Sequence, residues 1–326
     1  YNEPRNNARF MKRSKTLFLI IFCTQKTVFS WDQDWGGIIA NVSIFLSYRN
    51  GGVQSMKVKV IATGGTISGH SDDGLDFRNY RSGFYAVEEI LERVPEIHRY
   101  AEITTQQLTN FSSCEMTPKH WMQLKQLVEA AIHDEKCDGV VITHGTNTIE
   151  ETAYFLHLTV NTEHPIVLVG AQRPLTAIGT DAVINLIHAV RVAAAPQSRG
   201  KGVLVVLNDA IHSAREVTKT NTYRLETFQS GQFGFLGYVE PDGTVQYYRT
   251  PARKHTIHSC FASARIADIP EVEIVYSYAG ANGQLIRLLT ASNTVSGIVV
   301  AGTGAGKFSK AEEEALIEAA EKGIVV

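Results

Sequence analysis

MKVKVIATGGTIS (56–68) carries a strand-like, β-branched run, Val58–Ala62, straight into a turn of two threonines and two glycines, Thr63-Gly64-Gly65-Thr66. The arrangement returns in VVITHGTNTIEETAYFL (140–156). There Val140–Thr143 reads as a strand, His144-Gly145-Thr146-Asn147-Thr148 as a turn, and a helix opens at about Ile149. Runs of the same kind stand at Ile166–Val169, Val203–Leu207, Val272–Tyr276 and Gly297–Val300. Short β-branched runs bounded by Gly and hydroxyl residues form strands.

Helical patterns lie between them. Ala86–Val94 places Val87, Ile90, Leu91 and Val94 on one face, and Trp121–Ile132 follows the cap Thr117-Pro118. Asp181–Ala195 continues the series, and Ser309–Glu312 is a capping box opening a helix that Gly323 closes. Strand–helix alternation of this kind builds an α/β fold with a mainly parallel (mixed) sheet flanked by helices. The stretch Thr250–Ile257 reads as a linker, with a smaller α/β unit after it. The expected division is a large domain over 56–249, a linker over 250–269 and a small domain over 270–326.

The chain has 326 residues, 44% hydrophobic and 20% charged, which excludes a disordered, collagen-like or coiled-coil protein. A net charge of −2 without a Lys/Arg block lacks the electrostatic footprint of a nucleic-acid binder. Cys23, Cys114, Cys137 and Cys260 form no CxxC pair, which argues against zinc and leaves them as free thiols in or near the core. Residues 1–55 read as an atypical extension. Met11–Lys15 followed by LFLIIFC (17–23) has the basic and apolar character of an export signal but lacks a cleavage site. A start at Met56 is preferred and implies a cytoplasmic protein; a start at Met11 implies a periplasmic or secreted one. Nothing reaches the length of a membrane span. At the other end, Ile324–Val326 reads as a strand interior, so the small domain is expected to be incomplete and assembly to be poor.

In open α/β sheets ligands bind beyond the carboxyl ends of the strands. The two Thr/Gly turns fall there. Taken singly, each is a tight connection or a helix cap, and neither has the spacing of a phosphate loop. Taken together they suit a Thr nucleophile, which needs a second polar network to move its proton and N–H groups to hold an oxyanion. His144 reads as a structural, hydrogen-bonded histidine, and Asp209, Arg215 and Glu216 as groups that pair with one another locally.

IATGGTIS (61–68) and VITHGTNTIEETAYFL (141–156) resemble the two signature segments of bacterial L-asparaginases. So do VGAQRP (169–174), LNDAIHSAREVTKTNT (207–222), TPARKHT (250–256) and IVYSYA (274–279). The similarity runs from Met56 to the last residue, in the family's order, and is strongest to the type II-like branch. It implies hydrolysis of L-asparagine to L-aspartate and ammonia, often with some glutaminase activity, so that L-glutamine is a second candidate substrate. It implies a smaller Rossmann-like C-terminal domain and no cofactor or metal. It also implies a homotetramer, a dimer of dimers with sites between subunits, in which Tyr278–Asn282 faces a partner's site.

Carried over by position, Thr66 matches the nucleophile and Tyr80 the lid tyrosine bonded to it. Thr146 and Lys219 match a Thr–Lys pair that activates the attack or the later water, and Ser113 the binder of the substrate α-carboxylate. A Lys acts as a base there only if its surroundings depress its pKa. Three departures stand out. The family's HGTDT is HGTNT here, so Asn147 replaces a carboxylate that meets the substrate ammonium and positions the Lys. Cys114 occupies a Gln/Glu position that also meets the ammonium, and the third contact, a partner-subunit Glu, belongs to a segment beyond Val326. Gly280 stands where relatives often have a polar residue. Each lost charge-assisted contact costs about 1–3 kcal/mol, so asparagine turnover is expected to be impaired. The alternative expectation is a divergent member that acts on, or merely binds, an amide lacking the free α-amino group. A non-enzymatic sugar- or nucleotide-binding module is disfavoured by the paired Thr turns and the Lys219 segment.

Overall fold

The computed structural model describes residues 55–264, 266 and 269–326. The expectations for the extension before Ser55 and for Cys23 lie outside the described residues.

Eight strands form one sheet: β1 (Lys57–Gly64), β2 (Glu102–Phe111), β3 (Gly139–Thr143), β4 (Ile166–Val169), β5 (Val203–Leu207), β6 (Ala210–Ser213), β9 (Gly237–Val239) and β10 (Val245–Tyr247). Their spatial order is β10-β9-β6-β5-β4-β3-β1-β2. Strands β2, β1, β3, β4 and β5 run parallel, and β5, β6, β9 and β10 pair antiparallel. A separate two-residue ladder joins β7 (Thr218–Lys219) to β8 (Phe228–Gln229).

The central strands read as unbroken apolar runs because both of their faces are buried. Alternate residues then go to opposite sides. Val58, Val60, Val141, Val167, Val169, Leu204 and Val206 share one core with helices α1 (Val87–Glu92) and α4 (Ala182–Ala194), through Ile90, Leu186 and Val190. Ile61, Val140, Ile142, Ile166, Leu168, Val203 and Val205 share the other with α2 (Pro118–His133) and α3 (Ile149–Thr159), through Leu124, Val128, Ala153 and Leu156. The α/β reading therefore holds. Strand β2, EITTQQLTNF, is an addition to it: it lies at the sheet edge, half-buried, and its polar side chains hide the strand pattern.

The small unit pairs β11 (Val272–Tyr276) in parallel with β12 (Gly297–Ala301) and packs α5 (Gln284–Ser292) and α6 (Lys310–Glu321) around Val275, Ile286, Ile298, Ala315 and Ala319. Ser309 and Glu312 cap α6 reciprocally, as their spacing requires. Among the described residues no helix is long and apolar enough to cross a membrane.

Two local expectations are corrected. Cys137 is buried, but Cys114 and Cys260 are exposed, because both lie on turns outside the helix–sheet layers. Asp209, Arg215 and Glu216 do not pair with one another. The hairpin geometry points them apart, to His188, the Tyr154 hydroxyl and Arg249 respectively.

Candidate active site

Because β1 lies between β2 and β3 and runs parallel to both, the segments that follow the three strands emerge side by side. They approach backbone to backbone. A Cβ on Gly145 would stand 3.0 Å from the Ser113 nitrogen, and one on Gly64 would stand 2.4 Å from the Phe111 nitrogen. The turn after β4 closes in as well: a Cβ on Gly170 would meet the His144 carbonyl and the Thr146 methyl, both at 2.9 Å. Glycine is required where two main chains pack this closely.

Thr66 is buried at the start of a short 3-10 turn, Thr66–Ser68, and its Oγ1 is 2.7 Å from the Tyr80 hydroxyl. Tyr80 belongs to a loop that is tied back to the first turn. His70 and Arg81 form an antiparallel bridge, the Gly83 N–H donates to the Gly65 carbonyl (3.1 Å), and the Phe84 N–H donates to the Ser68 carbonyl (2.9 Å).

On the second turn, Lys219 Nζ donates to Thr146 Oγ1 at 2.8 Å and to Asn147 Oδ1 at 3.1 Å. The lysine arrives from β7, which is held against α3 by Glu150. Glu150 Oε2 accepts the Lys219 backbone N–H (2.6 Å) and Oε1 accepts the Thr218 hydroxyl (3.0 Å). Burial pushes the Lys219 ammonium below its ordinary 10.5. Asn147 is exposed, and its Nδ2 lies 3.3 Å from Cys114 Sγ. Ser113 is buried; its Oγ accepts the Thr148 N–H (3.3 Å) and its carbonyl accepts the Thr148 hydroxyl (2.7 Å).

His144 is fully buried between the Gly145 carbonyl, 2.8 Å from Nδ1, and Thr152 Oγ1, 3.0 Å from Nε2. Trp121 Nε1 donates to the same Thr152 hydroxyl. Burial lowers the imidazole from 6.5 to about 4, so it is neutral at pH 7 with both nitrogens engaged. The geometry suits a structural role, as its place in the sequence suggests.

The fold thus collects Thr66 with Tyr80, Thr146 with Lys219 and Asn147, and Asn147 with Cys114, on turns packed against one another. Tyr278–Asn282 forms an exposed turn after β11, closed by an Ala281 N–H to Tyr278 carbonyl bond of 2.9 Å, and is not among the residues bonded in this cluster. Sequence reasoning missed Glu150 and Thr148. Glu150 looks like an ordinary first-turn acid, and nothing local announces that β7 docks on it.

Two family models match the chain: "Asparaginase, N-terminal" over residues 57–253 and "Glutaminase/Asparaginase C-terminal domain" over residues 271–326. The chain is 40% identical over 269 residues to "L-asparaginase 2" of Bacillus subtilis (strain 168), covering 82% of this chain and 71% of that one. It is 39% identical over 287 residues to "L-asparaginase 2" of Escherichia coli (strain K12), covering 88% and 81%. Among solved structures it is similar to a probable cytoplasmic L-asparaginase from Campylobacter jejuni, with a TM-score of 0.79, 39% identity and 82% coverage of each chain.

Proposed function

The chain belongs to the asparaginase family, and from that premise we propose that it hydrolyses side-chain amides of the L-asparagine type through a Thr66 ester. The observation that carries the reading is the pairing of two threonine hydroxyls, each with its own proton partner, on adjoining turns: Thr66 with Tyr80 and Thr146 with Lys219. On this reading residues 56–249 form the catalytic domain, 250–269 a linker and 270–326 the second domain.

Thr66 Oγ1 adds to the amide carbon. Its proton passes to the Tyr80 oxygen while Tyr80 gives its own to the departing nitrogen, so ammonia leaves and an ester remains on Thr66. Lys219, in its neutral form, takes a proton from water through Thr146, and the hydroxide so formed cleaves the ester. Burial favours that neutral form, and Asn147, being uncharged, does not draw it back toward the ammonium. Ser113 and the adjoining Thr148 are assigned to the substrate carboxylate. Asn147 and Cys114 occupy the place of an anionic hold on the substrate ammonium and provide none, which is the basis for slow turnover of asparagine.

The homo-oligomer is part of the same proposal. Ammonia release from L-asparagine tests the whole reading, with wild type, Thr66→Val and Asn147→Asp in parallel. Wild type is expected to be slow, Asn147→Asp faster by about tenfold or more, and Thr66→Val inactive. An active Thr66→Val would remove the nucleophile, and an Asn147→Asp no faster than wild type would remove the impairment.

A further inference from the structure

We propose that His70 is a positioning residue of this site: its ring, bonded to the core hydroxyl of Tyr85, holds the loop that sets Tyr80 against Thr66. The role rests on the hydrolase reading above, in which Tyr80 relays the proton of the attacking threonine.

Tyr80 needs outside support. Its hydroxyl lies 2.7 Å from Thr66 Oγ1, yet its own N–H and carbonyl make no backbone hydrogen bond among the described residues. The main chain of its neighbour Arg81 is held by His70 from both sides. The Arg81 N–H donates to the His70 carbonyl at 2.8 Å, and the His70 N–H donates to the Arg81 carbonyl at 2.9 Å. The ring of Tyr80 rests on the residue before that pair: a Cβ on Gly69 would stand 3.0 Å from Tyr80 Cδ2. The place of His70 therefore fixes both the main chain beside Tyr80 and the surface beneath its ring.

The side chain of His70 takes that place from a buried anchor. Tyr85 is 8% exposed, shares the core with Ile67, Val87 and Ile90, and donates its N–H to the Ser68 carbonyl at 2.9 Å. His70 Nδ1 lies 2.7 Å from the Tyr85 hydroxyl, and Nε2 lies 3.0 Å from Asp72 Oδ1. A carboxylate only accepts, so Nε2 carries the hydrogen, and Nδ1 of the neutral ring accepts from Tyr85. A protonated ring keeps both contacts, with Nδ1 donating to the same oxygen. The two anchors are unequal. The Asp72 side chain is 88% exposed, where an ion pair with His70 or Arg81 contributes little. The Tyr85 bond is shielded, and losing it leaves a largely buried hydroxyl unpaired. Phe84 completes the seat. Its ring stacks on His70 with centroids 4.8 Å apart and carries the Arg81 guanidinium 4.4 Å from its centre. Reacting groups keep their geometry when the side chains behind them are locked by packing and hydrogen bonds in this way.

The test variant is His70→Phe, which keeps the stack on Phe84 and removes both hydrogen bonds of the ring. It is measured alone and combined with Tyr80→Phe, by kcat for ammonia release from L-asparagine. With Tyr80 present, His70→Phe is expected to lower kcat by about tenfold, because the relay hydroxyl is displaced. In Tyr80→Phe no hydroxyl is left to place, so the same substitution is expected to change kcat by less than about twofold. An equal loss in both backgrounds overturns the inference, as does a His70→Phe kcat equal to wild type; the hydrolase reading survives either result. A Tyr80→Phe protein as fast as wild type removes the relay and the inference with it, and a wild type that releases no ammonia overturns the hydrolase reading as well. Should His70→Phe fail to fold, Tyr85→Phe removes the same bond from the core side. A kcat loss that vanishes in Tyr80→Phe is then expected, and an unchanged kcat or a loss that persists overturns the proposal.

Discussion

Gly65 lies directly against Gly145: a Cβ on Gly65 would stand 2.3 Å from the Gly145 Cα and 2.4 Å from its nitrogen, and the Gly65 φ is +88°. Both the conformation and the contact exclude a side chain. Gly65→Ala is therefore expected to cost about 1–3 kcal/mol in strain and to separate the turns that carry Thr66 and Thr146. Misplacing reacting groups by an ångström lowers rates by roughly a hundredfold. Urea unfolding and ammonia release on the same protein check this, and an alanine variant of wild-type activity would show that the turns adjust freely.

The 2.7 Å Thr66–Tyr80 contact separates two roles. Thr66→Val keeps the shape and removes the hydroxyl, and activity is expected to fall by about a thousandfold or more. Tyr80→Phe keeps the nucleophile and removes the proton relay, with an expected loss in kcat of about a hundredfold. Steady-state kinetics distinguish them. A Tyr80→Phe loss confined to KM would make Tyr80 a substrate contact.

Lys219 gives the reaction a pH dependence with a definite sign. As a base it must lose its proton, so activity is expected to rise with pH along a limb whose midpoint lies below the ordinary 10.5. Asn147→Asp would place a carboxylate beside Nζ, favour the ammonium and move that midpoint upward. Lys219→Met should abolish the limb. A midpoint that ignores Asn147→Asp would assign the titration to another group.

Acid stability is expected to follow the buried histidines. His144 titrates near 6.5 when unfolded and at about 4 when folded, because burial disfavours the charged ring. Between those values the unfolded chain binds a proton that the native chain does not. Stability therefore falls as pH drops from about 6.5 to about 4, by about 3 kcal/mol for this one residue. His212, at about 4, and His157, at about 3, act in the same direction through burial. Urea unfolding at a series of pH values measures the slope, and His144→Gln should flatten it.

The strands that the sequence shows plainly are those buried on both faces. IVLV and VLVVL contain nothing but apolar residues, because helices cover them above and below. Strand β2 escapes notice for the opposite reason: it is an edge, and its threonines and glutamines satisfy solvent as readily as a neighbour. Strands β6, β9 and β10 are four residues or fewer, too short to show an alternation. The same contrast holds in the site. Thr66 and Thr146 are visible because each follows a buried strand, where turns at a carboxyl edge carry ligands. Tyr80, Ser113 and Lys219 were named through the family resemblance. Ser113 follows the hidden strand β2, and Lys219 is 73 residues from the threonine it meets.

That separation in sequence has a consequence for how the protein is made. Synthesis runs from the amino end, so Thr66, Ser113 and Thr146 leave the ribosome well before Lys219 does. The parallel strands β1 to β5 precede the antiparallel return that carries β7 back to Glu150. A nascent chain can thus hold its nucleophile in a nearly finished sheet while still lacking its base. During synthesis, activity is therefore expected to appear only once β7 has docked on Glu150.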